Sequence, residues 1–159
     1  MAVDAIDVKI LACLQDDATL VVSEIADRVG LTTSPCWNRI QKLESEGVIS
    51  ARVALLDPAR LNLGATVFVA VRTNQHSSAW LGKFAAAVAD FPEVVEFYRL
   101  SGEIDYLLRV VVPDIAAYDR FYKRLIDRVD LADLSSSFAM ERIKYTTALP
   151  LDYVEAGRT

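Results

Sequence analysis

Apolar side chains recur at helical spacing near the start of the chain, at Ile6, Ile10, Leu11 and Leu14, and the polar run Asp16-Asp17-Ala18 predicts where that helix stops. A second stripe, Ile25, Ala26 and Val29, ends at Gly30, the residue type that closes helices in a left-handed conformation, and Leu31 follows as an inward plug. A third helix then starts from Thr32 or Ser34. Thr32 is a good N-cap, while Ser34 followed by Pro35 fits a cap with proline at the first helical position. At about 100° per residue, Cys36, Ile40, Leu43 and Gly47 fall in one narrow sector, and Ser34, Asn38 and Gln41 point the opposite way. Beyond Gly47, residues 48–49 and 53–56 are expected to form a small β-hairpin wing, and Asp57-Pro58 marks a turn. These elements predict a helical domain over 1–56 and a linker over 57–64.

The second half changes period. Residues 66–72, 94–100 and 106–112 are β-rich; 79–89 is helical with Trp80, Phe84 and Val88 on one face. Asp114 caps another helix, with Ile115, Tyr118, Phe121 or Tyr122, Leu125 and Val129 inward, and residues 137–145 give a last strand. The order β-α-β-β-α-β predicts a ferredoxin-like domain over 65–159, with both helices on one sheet face and an apolar face left uncovered. The fold class is therefore α+β, a winged helix-turn-helix followed by a ferredoxin-like βαββαβ domain.

Composition sharpens this picture. Of the 159 residues 53% are apolar, more than two small cores need, so oligomerisation is expected. A net charge of −5 argues against a diffuse nucleic-acid coat. Locally, however, residues 1–60 carry six Lys/Arg against nine Asp/Glu, yet the window from Arg28 to Lys42 contains three cations and no acid. Cys13 and Cys36 are widely spaced on apolar helix faces, which fits buried thiols rather than a disulfide or a metal knuckle. No signal pattern opens the chain, and the longest uncharged apolar run, residues 65–71, is too short to span a bilayer. A cytoplasmic protein that does not enter the membrane is expected.

Two helices joined by a tight turn, the second with a polar outer face, form a helix-turn-helix, the arrangement that reads DNA. Amides at its centre can read base edges while Lys42 and Arg39 at one flank reach phosphates and Trp37 lies at the other. Thr33, Ser34, Trp37, Asn38, Arg39, Gln41 and Lys42 are the candidate contacts to double-stranded DNA. A solvated helix also displays polar residues; the preceding helix and turn favour the groove. In Ser101-Gly-Glu-Ile-Asp105 a glycine and acids between two strands are enough for a hairpin turn. The same segment suits a zwitterion, with backbone N–H groups near Gly102 meeting a carboxylate and Asp105 an ammonium group. Ser135, Ser136 and Ser137 are either hydroxyls offered from a neighbouring chain or a polar start to a strand, and Tyr98 and Leu100 line the same pocket or pack in the core. An enzyme is disfavoured: His76, the only histidine, lies in a polar loop without ligand-spaced partners, so no catalytic set, metal site or cofactor is expected.

With these domains in this order the chain resembles the Lrp/AsnC family of feast/famine transcription regulators. The resemblance rests on Asp7-Val-Lys-Ile-Leu11, the run from Gly30 to Glu44, Gly47-Val-Ile49, Leu56-Asp-Pro58, Ser101-Gly-Glu-Ile-Asp-Tyr-Leu-Leu108 and Met140-Glu-Arg-Ile-Lys144. Membership would imply DNA binding by the first domain, amino-acid sensing and assembly by the second, a homodimer as the unit, often octamers, and a pseudo-palindromic operator. Thr19 and Asn38 stand where relatives often carry basic residues, and Arg52 stands where an aromatic is frequent. Weaker phosphate contact or another operator would follow.

Overall fold

The computed structural model describes residues 3–75 and 77–154, so His76 lies outside the described residues. The chain divides into two compact units, residues 1–55 with 144–159, and residues 56–143.

The first unit holds α1 (Ala5–Asp16), α2 (Val22–Val29) and α3 (Thr33–Ser45). Asp4 caps α1 by accepting from the N–H groups of Ile6 and Asp7 at 2.8 and 2.9 Å, and Asp7 accepts from the Asp4 N–H in return, a reciprocal capping box. Gly30 takes φ +75°, which lets the Leu31 N–H reach Ala26 O and turns the chain sharply into α3. Thr32 is the N-cap of α3 by backbone geometry, without a side-chain cap bond. Ile10, Ile25, Cys36, Ile40 and Leu43 are almost fully buried where the three helices meet.

Two expectations change here. No β ladder forms between residues 48–49 and 53–56: Ile49 instead donates its N–H to Leu43 O and packs on the helical core, while residues 51–57 carry no regular secondary structure. The chain after residue 143 is not a strand of the sheet. It returns to α1, where Gln15 donates to Leu149 O and accepts from its N–H at 2.7 Å, and Leu151 packs on the helical core.

The second unit contains β1 (Ala65–Arg72), α4 (Ser78–Ala89), β2 (Val94–Arg99), β3 (Tyr106–Val112), α5 (Ile115–Arg128) and β4 (Asp133–Phe138). A one-turn 3-10 helix at Pro58–Leu61, capped by Asp57, opens the unit ahead of β1. The sheet is antiparallel throughout, in the order β2-β3-β1-β4. Strict alternation sends Val67, Val69 and Val71 of β1 and Leu108, Val110 and Val112 of β3 into the core beneath the helices. Trp80, Phe84 and Val88 of α4 and Tyr118, Phe121 and Leu125 of α5 fill the other side. Phe84 meets Phe97 and Tyr106 edge-on at 5.1 and 5.3 Å, and Phe91 meets Phe121 at 5.2 Å.

The last strand therefore starts and ends earlier than its composition indicates, because Asp133 through Phe138 pair with Arg72 through Val67. The uncovered face is not wholly apolar either. Phe68, Ala70, Leu107 and Val111 share it with an ion pair in which Arg109 Nη2 lies 2.6 Å from Glu96 Oε1. Tyr98 donates to the other Glu96 oxygen.

Candidate nucleic-acid interface and ligand site

Burial of Cys36, Ile40 and Leu43 fixes which side of α3 is presented outward. Thr33, Ser34, Trp37, Asn38, Gln41 and Lys42 are all exposed there, with Trp37 at 51%. Lys42 has no ion pair among the described residues and lies in the last turn, where a cation also suits the helix dipole. Gln41 donates to Glu44 Oε2 at 2.9 Å, and Glu44 Oε1 in turn holds Arg52 at 2.7 Å. Arg52 is thus tied to the C-terminal end of α3 rather than carried on a β-hairpin.

Arg39 departs from its expected role. Its Nη1 lies 2.6 Å from Asp4 Oδ2 and 2.7 Å from Asp7 Oδ1, so the guanidinium is turned back onto the start of α1. Asp7 is only 5% exposed, and a buried carboxylate needs this cation more than a phosphate does. The outward face consequently has one cation where the helical wheel shows two. The Asp4 carboxyl is held below its ordinary value, first by the N–H of Asp7 and then by Arg39. Helical periodicity alone cannot reveal this clamp; the nearest signal is an acid-rich cap, Asp4 and Asp7, ahead of an apolar stripe.

The second candidate site lies at the hairpin between β2 and β3. Leu100 N–H donates to Asp105 O at 2.8 Å, and Gly102 adopts φ +138°, where a side chain is strained. Asp105 ties this hairpin to the end of β1: its N–H reaches Val71 O, and its Oδ2 accepts from Thr73 N–H at 2.8 Å. Ser101 is exposed, and Glu103 pairs with Arg72 at 2.5 Å. Tyr98 and Leu100 are both exposed, so neither is a core residue.

The three serines do not act as one group. Ser136 lies opposite Val69 and bonds the Tyr118 hydroxyl on the helix side, while Ser135 and Ser137 lie opposite Ala70 and Phe68 on the uncovered face. Tyr98 and the serines occupy opposite edge strands, three spacings or about 14 Å apart. One chain does not bring them together. Among the described residues no cluster of His, Cys, Asp and Glu is placed to hold a metal ion, both cysteines are free thiols, and no helix is long and apolar enough to cross a membrane.

Residues 3–50 match the family model for winged helix-turn-helix DNA-binding domains, and residues 66–149 match the Lrp/AsnC ligand binding domain. The chain belongs to the Lrp/AsnC family. It is 52% identical over 150 residues to the DNA-binding transcriptional activator DecR of Escherichia coli, covering 94% of this chain and 99% of that one. It is 51% identical over 148 residues to the glutamate uptake regulatory protein of Zymomonas mobilis, covering 93% and 90%. Among solved structures, an AsnC family transcriptional regulator from Agrobacterium tumefaciens superposes with TM-score 0.92 at 63% identity, over 94% of this chain and 98% of that one. A Neisseria meningitidis transcriptional regulator in complex with L-methionine gives 0.89 at 38% identity, over 94% and 97%. This Lrp/AsnC protein is a DNA-binding transcriptional regulator, and α1, α2 and α3 lie within the part of the chain that matches the DNA-binding domain.

The clamp beneath that helix has a pH signature. Because the folded Asp4 carboxyl titrates below the unfolded one, its contribution is complete above the ordinary value of 3.8 and is lost as pH falls through the folded value. Arg39→Ala should cost about 2–3 kcal/mol at neutral pH, chiefly by stranding Asp7, and should flatten the acid limb of the stability curve. Denaturant titrations across the acid range check both; an unchanged limb would remove the clamp.

Proposed function

We infer that the chain reads a specific duplex sequence through Thr33, Ser34, Asn38 and Gln41, anchors on phosphate through Lys42, and packs Trp37 against the groove wall. The observation that carries this reading is the exposed, amide-bearing outward face of α3, which has no acid from Thr33 to Lys42 and is held by a core of Cys36, Ile40 and Leu43. It acts in the cytoplasm as a regulator rather than as a catalyst, in keeping with relatives that are named regulators. Changing Asn38 or Gln41 to Ala should reduce discrimination between sites by about 1–3 kcal/mol, while Lys42→Ala should weaken all sequences alike and flatten the salt dependence. Competition binding decides; operator preference unchanged in both amide variants would overturn the assignment.

The assembly is at least a dimer, built on the uncovered sheet face. Phe68 and Tyr98 on it are each at least 38% exposed, and Met140 and Ile143 beyond β4 more than 90%. Such apolar exposure favours a second copy, with tetramer and octamer as further steps. Two-fold symmetry makes the operator pseudo-palindromic. Light scattering should give at least twice the chain mass at micromolar concentration, and a monomer would reject both statements.

An amino acid or related metabolite, seated at Ser101, Gly102 and Asp105, changes DNA affinity or assembly by binding two states unequally. The L-methionine complex of the Neisseria relative supports this ligand class. A carboxylate accepts several donors at once, so Asp105 can serve both the Thr73 N–H and a ligand ammonium. Ser135 and Ser137 on the uncovered face then complete the pocket from the partner subunit, together with Tyr98 and Leu100. Asp105→Asn keeps an acceptor for Thr73 and removes the charge. It should abolish the thermal shift given by the effector among a panel of amino acids and spare DNA binding; equal stabilisation of both proteins would reject Asp105 as the ammonium partner.

A further inference from the structure

We propose that a groove of about 560 Å³ beside α5 is a second amino-acid site, separate from the hairpin and specific for an α-amino acid with an apolar side chain. The groove lies where β2 begins and β3 ends. The hairpin joins the other ends of those two strands, and the seven residues of β3 put roughly 20 Å between the two places.

The walls supply three unlike groups that match the three parts of such a ligand. Val112, Pro113 and Ala117 offer an apolar surface. Arg120 and Arg124 stand on the same helix face as Ala117, at i+3 and i+7, with Lys123 beside them. Lys123 is paired with Asp119 at 2.6 Å and Arg124 with Glu93, whereas Arg120 has no ion pair among the described residues. Arg120 is therefore the cation available to a ligand carboxylate.

Glu93 supplies the third group. Its backbone oxygen accepts from Val111 N–H at 2.8 Å, which fixes it at the end of the β2–β3 ladder. One of its carboxylate oxygens is taken by Arg124; the other, Oε2, is buried and has no hydrogen-bond partner. A buried carboxylate oxygen without a donor is an unmet demand. Glu93 lines the groove, and rotation about its soft terminal carboxylate torsion is the movement by which this oxygen would reach a ligand there. An ammonium group there meets Glu93 while the adjoining carboxylate meets Arg120 and the side chain lies on Val112 and Pro113. A simple anion satisfies Arg120 and leaves Glu93 as it is; an amine satisfies Glu93 and leaves Arg120. Only the zwitterion meets both.

The test is equilibrium dialysis of the full chain against each of the twenty labelled amino acids, in wild type, Asp105→Asn, Arg120→Ala and Glu93→Gln. Arg120 is exposed, so its truncation leaves the core intact, and circular dichroism checks this. At least one apolar amino acid should bind Asp105→Asn at one site per chain, and Arg120→Ala should weaken that site about tenfold or more. Glu93→Gln should weaken the amino acid by about tenfold and leave its deaminated carboxylic acid unchanged. Absence of any binding to Asp105→Asn, or binding unaltered by Arg120→Ala, overturns the groove site. Acetate competing as well as the amino acid makes it an anion site only and also overturns it. Failure of the hairpin reading is distinct: there Asp105→Asn binds the same number of molecules as wild type, whatever Arg120→Ala does.

Discussion

Alternation along β1 and β3 assigns every side chain of the sheet to one of two unlike environments, and much of the second unit follows from that assignment. Val67, Val69 and Val71 go under the helices; Phe68 and Ala70 go to the face the helices leave bare. A one-residue slip would exchange the two sets and leave valines in water. The same parity divides the serine triplet of β4 and directs Ser136 to Tyr118, away from its neighbours. It also places the Glu96–Arg109 pair in the middle of the bare face. A surface with a fixed charge pair among apolar residues favours one docking register over others, since any misaligned partner must desolvate those charges without compensation.

The helical unit relies on a different device. Its apolar core is small, and three short helices packed by a few side chains leave their relative angles loosely set. Arg39 narrows the choice by joining the middle of α3 to the first turn of α1 through two carboxylates. Gly30 sets the other angle, because only a left-handed residue lets α2 stop and α3 begin within so few residues. Together they fix how the outward face of α3 is presented, from positions at the helix's flank and its approach.

Much of this was legible in the sequence. The order of elements, the cap of α5 at Asp114, the end of α2 at Gly30 and most inward residues of α3, α4 and α5 follow from period and capping chemistry; Ile115, expected inward, is 70% exposed in the first turn of α5, and Gly47 is exposed past the end of α3. Arg39 was not legible as a strut, since a helical wheel places it at the flank of the outward face and only the acids of another helix draw it back. The β-hairpin over residues 48–56 and the end of the last strand differ from expectation for a related reason. Residues 53–56 and 139–145 have strand-like composition, but a strand needs a neighbour, and the chain itself provides none there. At the hairpin, the glycine and the acid were visible, whereas the bond from Thr73 to Asp105 depends on how β1 lies beside β3.

The return of the chain to α1 has a bearing on how the molecule is made. Gln15 and Leu149, joined by two hydrogen bonds, are 134 residues apart. On a ribosome adding about 5–20 residues per second, Gln15 emerges on the order of ten seconds before its partner has been synthesised. The side of α1 that carries Gln15 therefore lacks its covering segment throughout the synthesis of the sheet. The first unit is finished last, although it is encoded first, and a released chain truncated near residue 143 has every strand of the sheet but an incomplete DNA-binding unit.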